Sequence, residues 1–448
     1  MNIGFVSMRL AGTDGVSLES RKWAYIFHQL GHEVYCAAGQ LDRDLRGMLI
    51  PEMHFDHPEV QSIHDQAFGN AAEPPDLRER IEKLADDLFD TLERFVQAFD
   101  IDLLIAENII TIPMNIPLGV AFTRFVEQRR FPCVAHHHDF YWERERFLTN
   151  CIPDILERYF PPDLPTIRHV VINSLAQASL REHRGLESVV VPNIFDFSRA
   201  APGINAFNRD LRNQLNLTMD HLFVLQPTRV IRRKGIEISI ELVRRLREPK
   251  YASRLMDKEP VLVITHHAGD EGLDYLTELN RKAKEVQVPL IFAATRFGTR
   301  PGYNGLQKIY SLWDAYVHAD FVTYPSRYEG FGNALLEALY FRLPTLVNRY
   351  SVYVTDIAPL GFELVEIDGV VTDETIEQVI QVMMDPVQRR RTVQFNYELA
   401  KYHFSYEAVT PKLMDLLNLP ALNQPTAQLP AQPVRPESTP TTRQEQSP

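Results

Sequence analysis

The chain has 448 residues, 45% of them hydrophobic and 24% charged, with a formal net charge of -12. That length holds two ordinary domains with a substantial core, and the acidic balance argues against nucleic acid or an anionic membrane as partner, so any anion site has to be assembled locally. Three cysteines, Cys36, Cys133 and Cys151, have neither the even count nor the close spacing of a disulfide framework or a zinc ribbon, which fits a reducing cytoplasm.

The opening "MNIGFVSMRL" has too short an apolar run for a signal peptide and reads as a first strand. The glycine-bearing "AGTDGVS" and the amphipathic "LESRKWAYIFHQLGHEVYCAAG" follow, so the chain begins strand, loop, helix, strand, the unit of a parallel sheet. Leu77, Ile81, Leu84, Leu88, Leu92, Phe95 and Phe99 recur at three and four positions and predict a long helix over residues 76–99. "IDLLIAE", "PCVAHHH" and "RHVVINS" are apolar runs of strand length. The most apolar stretch, residues 101–122, contains Asp102, Glu107, Asn108, Asn115 and two prolines, so no transmembrane span is expected.

A second series starts near Leu222, with "FVLQPTR", "PVLVITH", "PLIFAAT", "FVTYPS" and "PTLVNR" as strands and helices over 236–247 and 310–319. The junction falls in "PNIFDFSRAAPG", residues 192–203. An α/β protein is expected, with doubly wound domains over 1–200 and 201–390 facing a cleft. Helices over 391–417 should pack back on the first domain, and a Pro-, Gln- and Thr-rich tail over 418–448 should be disordered.

The chemistry concentrates in "YPSRYEGFGNALLEALYFRLP". Gly330 and Gly332, on either side of Phe331, let backbone amides approach a ligand, and Asn333 is placed to cap a helix whose first N–H groups favour a phosphate. Glu337, one turn inside, is costly to bury ionised without partners, and the two hydroxyls of a ribose supply them; Glu329 is placed to meet a sugar beyond the phosphates. The plainer alternative is that Glu337 pairs with a neighbouring arginine. In "QPTRVIRRKGIEISIELV", Arg229 offers a fork and Lys234 a point charge to phosphate oxygens, whereas Arg232 and Arg233 fit an exposed basic face.

In "GTDGVSLES" a lone Gly-x-x-Gly is also explained by a strand-to-helix turn capped by Ser17. Strand alternation in "CVAHHHDF" points His136 and His138 one way and His137 the other, a two-ligand start, so no metal is expected there. "FYWERERF" is either the lining of a pocket or a surface helix with alternating salt pairs. His266 and His267 in "VITHHAG" face the cleft by topology, without a role that the pattern defines.

Taken together and in order, the Glu, seven residues, Glu pattern "EGFGNALLE", the Arg229 and Lys234 element, "VVPNIFDF" and "GTDGVSLES" resemble the retaining nucleotide-sugar glycosyltransferases of family four, which have the GT-B fold of two Rossmann-like domains. The resemblance extends over about residues 1–415, with one departure: "VVPNIFDF" carries Asn193 and Asp196 but has Ile194 where glycine is common. It implies a first domain on the acceptor side and a second that binds the nucleotide sugar. It further implies that Glu329 contacts the donor sugar, that Glu337 holds the ribose, and that Arg229 and Lys234 hold the diphosphate and stabilise it as it leaves. Gly15, Gly330, Phe331, Gly332 and Asn333 complete the donor site, and His138 approaches the sugar near its hydroxymethyl group. Ser17, Asp139, Tyr141 or Trp142, and Arg144 or Arg146 are placed toward the acceptor. The implied reaction retains configuration and needs no cofactor and no divalent metal. "RLAGTDGVSLESRKWAYIFHQLGHEVYCAAG" with "HHHDFYWERERF" is similar to bacterial mannosyltransferases that use GDP-mannose and a small soluble acceptor of the glucosylglycerate type. Two alternatives stay open: a UDP-glucose or UDP-N-acetylglucosamine enzyme acting on a lipid or polysaccharide, and a noncatalytic protein that binds nucleotide sugars.

Overall fold

Strand-length runs that are apolar on both sides form parallel sheets only when helices cover both faces, and the chain supplies those helices between the strands. In the computed structural model, which describes residues 1–12, 14–268 and 272–417, the first seven strands are β1 (Asn2–Ser7), β2 (Glu33–Ala38), β3 (Gly47–Leu49), β4 (Leu103–Glu107), β5 (Cys133–His137), β6 (Ile167–Val171) and β7 (Ser188–Val190). They form one parallel sheet in the order β3-β2-β1-β4-β5-β6-β7. The strands β4 and β5 are buried along their whole length. Asp14 caps the first helix, Gly15–Gln29, by accepting from Ser17 N. The long amphipathic helix is Leu77–Ala98, and it lies so close to β1 that a side chain at Gly4 would meet the Phe95 ring at 2.9 Å.

The second half contains β8 (His221–Gln226), β9 (Glu259–Ile264), β10 (Leu290–Phe292), β11 (Phe297–Gly298), β12 (Gly302–Asn304), β13 (Gln307–Ser311), β14 (Phe321–Tyr324), β15 (Thr345–Asn348) and β16 (Val365–Ile367). Six of these make the second parallel sheet, ordered β10-β9-β8-β14-β15-β16, and β11, β13 and β12 make a small separate one. That small sheet takes Tyr310 and Ser311 from the helix expected at 310–319. Ser311 and Asp314 form a reciprocal capping box that starts the helix at Leu312 instead.

The strand order of each sheet reverses beside its first strand, between β1 and β4 and between β8 and β14, which are the positions where open α/β sheets bind ligands. The two openings face each other: a Cβ at Gly330 would stand 3.5 Å from His138 O, and one at Gly15 would stand 3.8 Å from Asn333 Nδ2. The helix Pro386–Phe404 runs out of the second unit, Phe195 N donates to Phe404 O at 2.8 Å, and the helix Tyr406–Leu416 then settles on the first sheet. There Val409, Leu413 and Leu416 join Ile3, Phe5, Trp23 and Val134 in one apolar cluster. Among the described residues no helix is long and apolar enough to cross a membrane. The tail at 418–448 lies outside the described residues. Leu413 is 0% exposed, so Leu413→Ala is expected to cost about 2–5 kcal/mol, read as a lowered midpoint in urea unfolding of the first unit.

Candidate active site

The second unit builds a cationic wall. After β8, a 3-10 turn, Arg232–Lys234, carries the backbone to Gly235, whose φ of +60° and whose approach to Pro325 O, 2.4 Å from where a Cβ would stand, exclude any other residue without rearrangement. The turn aims Lys234 inward. Its ammonium pairs with Glu329 and lies 5.9 Å from the centre of the Tyr324 ring, while Arg233 reaches Glu329 at 3.1 Å and Tyr328 O at 3.1 Å. Arg233, expected on an exposed face, is therefore part of the wall, and Arg232 does bridge outward to Glu278. Arg229 is exposed on the loop that leaves β8. Burial opposes ionisation of Glu329, yet Lys234 and Arg233 outweigh it and hold the carboxyl below its usual value; burial likewise pulls the Lys234 ammonium down.

Beside this wall lies the glycine turn. Gly332 has φ +132°, and a side chain there would meet the Tyr350 hydroxyl at 2.6 Å, the same hydroxyl that donates to Phe331 O. The Phe331 ring packs away from the cleft against Phe404, so only its backbone is offered to a ligand. The helix Asn333–Tyr340 begins here without a side-chain cap, leaving its first amides to the cleft. Asn333 does not cap its own helix as expected; its Oδ1 accepts from Asn193 of the first unit at 2.8 Å. Gly15 faces the other side of that amide, with 3.8 Å from its Cβ position to Asn333 Nδ2. Asn173 Nδ2 donates to Gly330 O at 2.7 Å, a third contact between the units. Glu337 is half-buried one turn inside, accepts from the Tyr316 hydroxyl at 2.6 Å, and is raised above the usual carboxyl value by burial, against the pull of that hydrogen bond. No arginine claims it among the described residues.

The first unit contributes the ends of β4 and β5. Glu107 and His136 are register partners, and His138 follows on the same face. His136 Nδ1 and His138 Nε2 lie 3.1 Å and 3.4 Å from Glu107 Oε2. Burial opposes the Glu107 charge, but the imidazoles prevail and take the carboxyl down to about 2. These three side chains have the donor set of a metal site, with all ligating atoms within 4.8 Å of one another. Sequence alone missed Glu107, although a carboxylate at the cleft end of a strand was the available signal. His137 turns the other way, into hydrogen bonds with Thr111 and His169. Asn108, at φ +62°, accepts from His138 N and donates to Asp139.

Several expected acceptor residues take other places. Ser17 is fully buried: its hydroxyl donates to Asp14 Oδ2 at 2.6 Å, with Arg9 O as the alternative acceptor at 3.2 Å, and accepts from Ala11 N, so it braces the helix start and does not reach the cleft. Asp14, not Ser17, is the cap. Trp142 is held between Phe140 and His183, with ring centroids 4.6 Å and 4.8 Å away, and its indole donates to Ser179. Asp139 and Arg144 pair with each other. Arg146 has no carboxylate partner among the described residues; it touches Met114 Sδ and the Phe147 ring. Tyr141 is half-buried beside them. Across the cleft, His266 is pushed down to about 4 by burial, with Lys234 and Arg229 adding to the effect.

The profile of the family described as Glycosyl transferases group 1 matches residues 207–398. Mannosylglucosylglycerate synthase of Petrotoga mobilis is 34% identical over 415 residues, covering 86% of this chain and 94% of that one. The protein of the same name from Thermotoga maritima is 33% identical over 445 residues, covering 93% and 99%. Among solved structures, a glycosyltransferase from Rickettsia africae superposes with a TM-score of 0.65 at 12% identity, over 93% of this chain and 98% of that one.

Because the Glu337 carboxyl is raised, the folded chain holds its proton more tightly than the unfolded chain does. This contribution to stability is present below the ordinary carboxyl value and lost as pH rises through the raised one. Glu337→Gln is therefore expected to raise the unfolding temperature at neutral pH and to leave it unchanged below about pH 4, measured by calorimetry without ligand.

Proposed function

The chain belongs to the group 1 glycosyl transferases and has their GT-B fold, and from that premise we propose that it moves a mannosyl group, with retention, from GDP-mannose to a hydroxyl of a glucosylglycerate-type acceptor. The observation that carries the reading is the meeting of Lys234, Arg233 and Glu329 beside an uncapped helix start, with Glu337 one turn further in. The names of the two relatives support the sugar and the acceptor.

In this reading the donor's diphosphate lies against the first amides of the helix Asn333–Tyr340, with Arg229 and Lys234 around it and Gly15 leaving room on the opposite side. Lys234 exchanges Glu329 for the diphosphate, which frees Glu329 to accept hydrogen bonds from the transferred sugar. Glu337 accepts from the ribose hydroxyls. As the glycosidic bond breaks, charge grows on the diphosphate, and the preset cations and amides stabilise it without a divalent metal in that role; each such contact is worth about 2.7–4 kcal/mol. Contact between the units through Asn173, Asn193 and Asn333 keeps water from the reacting carbon. The acceptor's carboxylate falls to Arg146, because Arg144 is already paired with Asp139.

A donor-by-acceptor screen with product analysis tests this. GDP-mannose with glucosylglycerate should give a trisaccharide-like acid with the α-linkage of the donor, and exclusive use of UDP-sugars would overturn the donor assignment. Lys234→Ala and Glu329→Ala should each lower kcat by about 100- to 1,000-fold with the fold intact by circular dichroism. Arg146→Ala should raise KM for the acid acceptor and leave donor binding unchanged.

A further inference from the structure

The geometry points to a transition-metal site of the Zn2+ class in the first unit, formed by Glu107, His136 and His138 with one coordination position open to the cleft. The backbone preassembles it. Parallel pairing sets His136 beside Glu107, and the two-residue period of the strand brings His138 to the same face. Around a tetrahedral ion with bonds of 2.0–2.1 Å, ligand atoms stand about 3.3 Å apart. Glu107 Oε2 stands 3.1 Å from His136 Nδ1 and 3.4 Å from His138 Nε2.

The His136 ring and the His138 backbone are held before an ion arrives. The His136 ring stacks on Trp23 at 4.1 Å and 17°, and the Asn108 side chain holds the backbone of His138. The burial is graded: the side chains of Glu107 and His136 are 0% exposed and that of His138 is 10% exposed. The open position therefore lies on the His138 side, next to Gly330, where a Cβ would stand 3.5 Å from His138 O. Hydrogen bonding alone leaves the cluster incomplete. Glu107 Oε1 is buried without a partner, and no lysine or arginine among the described residues pairs with this carboxylate. A dication gives the second oxygen a partner and balances the buried charge. Two imidazoles and one carboxylate suit Zn2+ or Co2+ better than Mg2+. The open position would take a sugar hydroxyl, a point that rests on the transferase reading; the site itself does not.

The test needs no substrate, so its failure is distinct from failure of the proposed reaction. The full chain, stripped with a chelator, is titrated with Co2+. The expected result is the intense visible absorption of tetrahedral cobalt, saturating at a single ion per chain and displaced by Zn2+. Glu107→Gln and His138→Ala should weaken binding by more than about 100-fold, beyond what loss of an outer-shell partner usually costs. His267→Ala, an exposed histidine of the other unit, should bind as the parent does. His138→Ala removes a partly exposed ring, so it keeps the test valid if Glu107→Gln does not fold. Absence of the tetrahedral spectrum in the parent, or the same spectrum in His138→Ala, overturns the site.

Discussion

A lysine and a glutamate face each other in the wall of the cleft, both nearly out of water, and the remaining geometry is arranged around them. Desolvating two charges costs more than their attraction returns unless further hydrogen bonds complete the set, so a pair such as Lys234 and Glu329 adds little to folding. In the proposed reaction its value lies in being held ready for a ligand that brings its own charge. Each neighbouring constraint serves that readiness: Gly235 turns the lysine inward, Gly332 brings the backbone under the Tyr350 hydroxyl, and Arg233 supplies the second cation that lets the carboxylate stay ionised. Glu337 is the complementary case. With the Tyr316 hydroxyl as its hydrogen-bond donor it sits raised by burial, so no cation among the described residues holds it ionised as Lys234 and Arg233 hold Glu329.

How far these features can be read from residues alone depends on whether they are local. "EGFGNALLE" places two carboxylates, two glycines and a helix start within nine residues, so the pattern is legible without tertiary contacts. The alternation of apolar runs likewise reveals both sheets and the long helix Leu77–Ala98. What escapes is whatever depends on which way a side chain turns and which partner claims it once the chain has folded. Glu107 and His136 are 29 positions apart and meet through strand register, which the polar residue in "IDLLIAE" does not announce. Ser17 looked like a cleft residue because its turn is one, yet Asp14, three residues earlier, takes the cap and draws the hydroxyl inward. Trp142 looked like a sugar platform, and the rings of Phe140 and His183 occupy both its faces.

The two units are bound at the cleft by side-chain amides and below it by the main chain. Asn173 and Asn193 hold Gly330 and Asn333, which lie between Glu329 and Glu337, so contact between the units and the shape of that turn are coupled. On the far side Glu19, buried in the first helix, accepts from Ile194 N, and Lys22 donates to Ile194 O. Ile194 is thus clamped from both of its backbone groups, and its side chain fills the apolar cluster beneath.

The return of the last helix to the first sheet carries a consequence for biosynthesis. Val409, Leu413 and Leu416 fill a cluster whose other members, among them Ile3, Phe5 and Trp23, leave the ribosome nearly four hundred residues sooner. Until residues 409–416 have been made, that apolar cluster lacks part of its cover. Its maturation is therefore tied to synthesis of the helix Tyr406–Leu416, and chains terminated before it would expose that part of the cluster to chaperones and proteases.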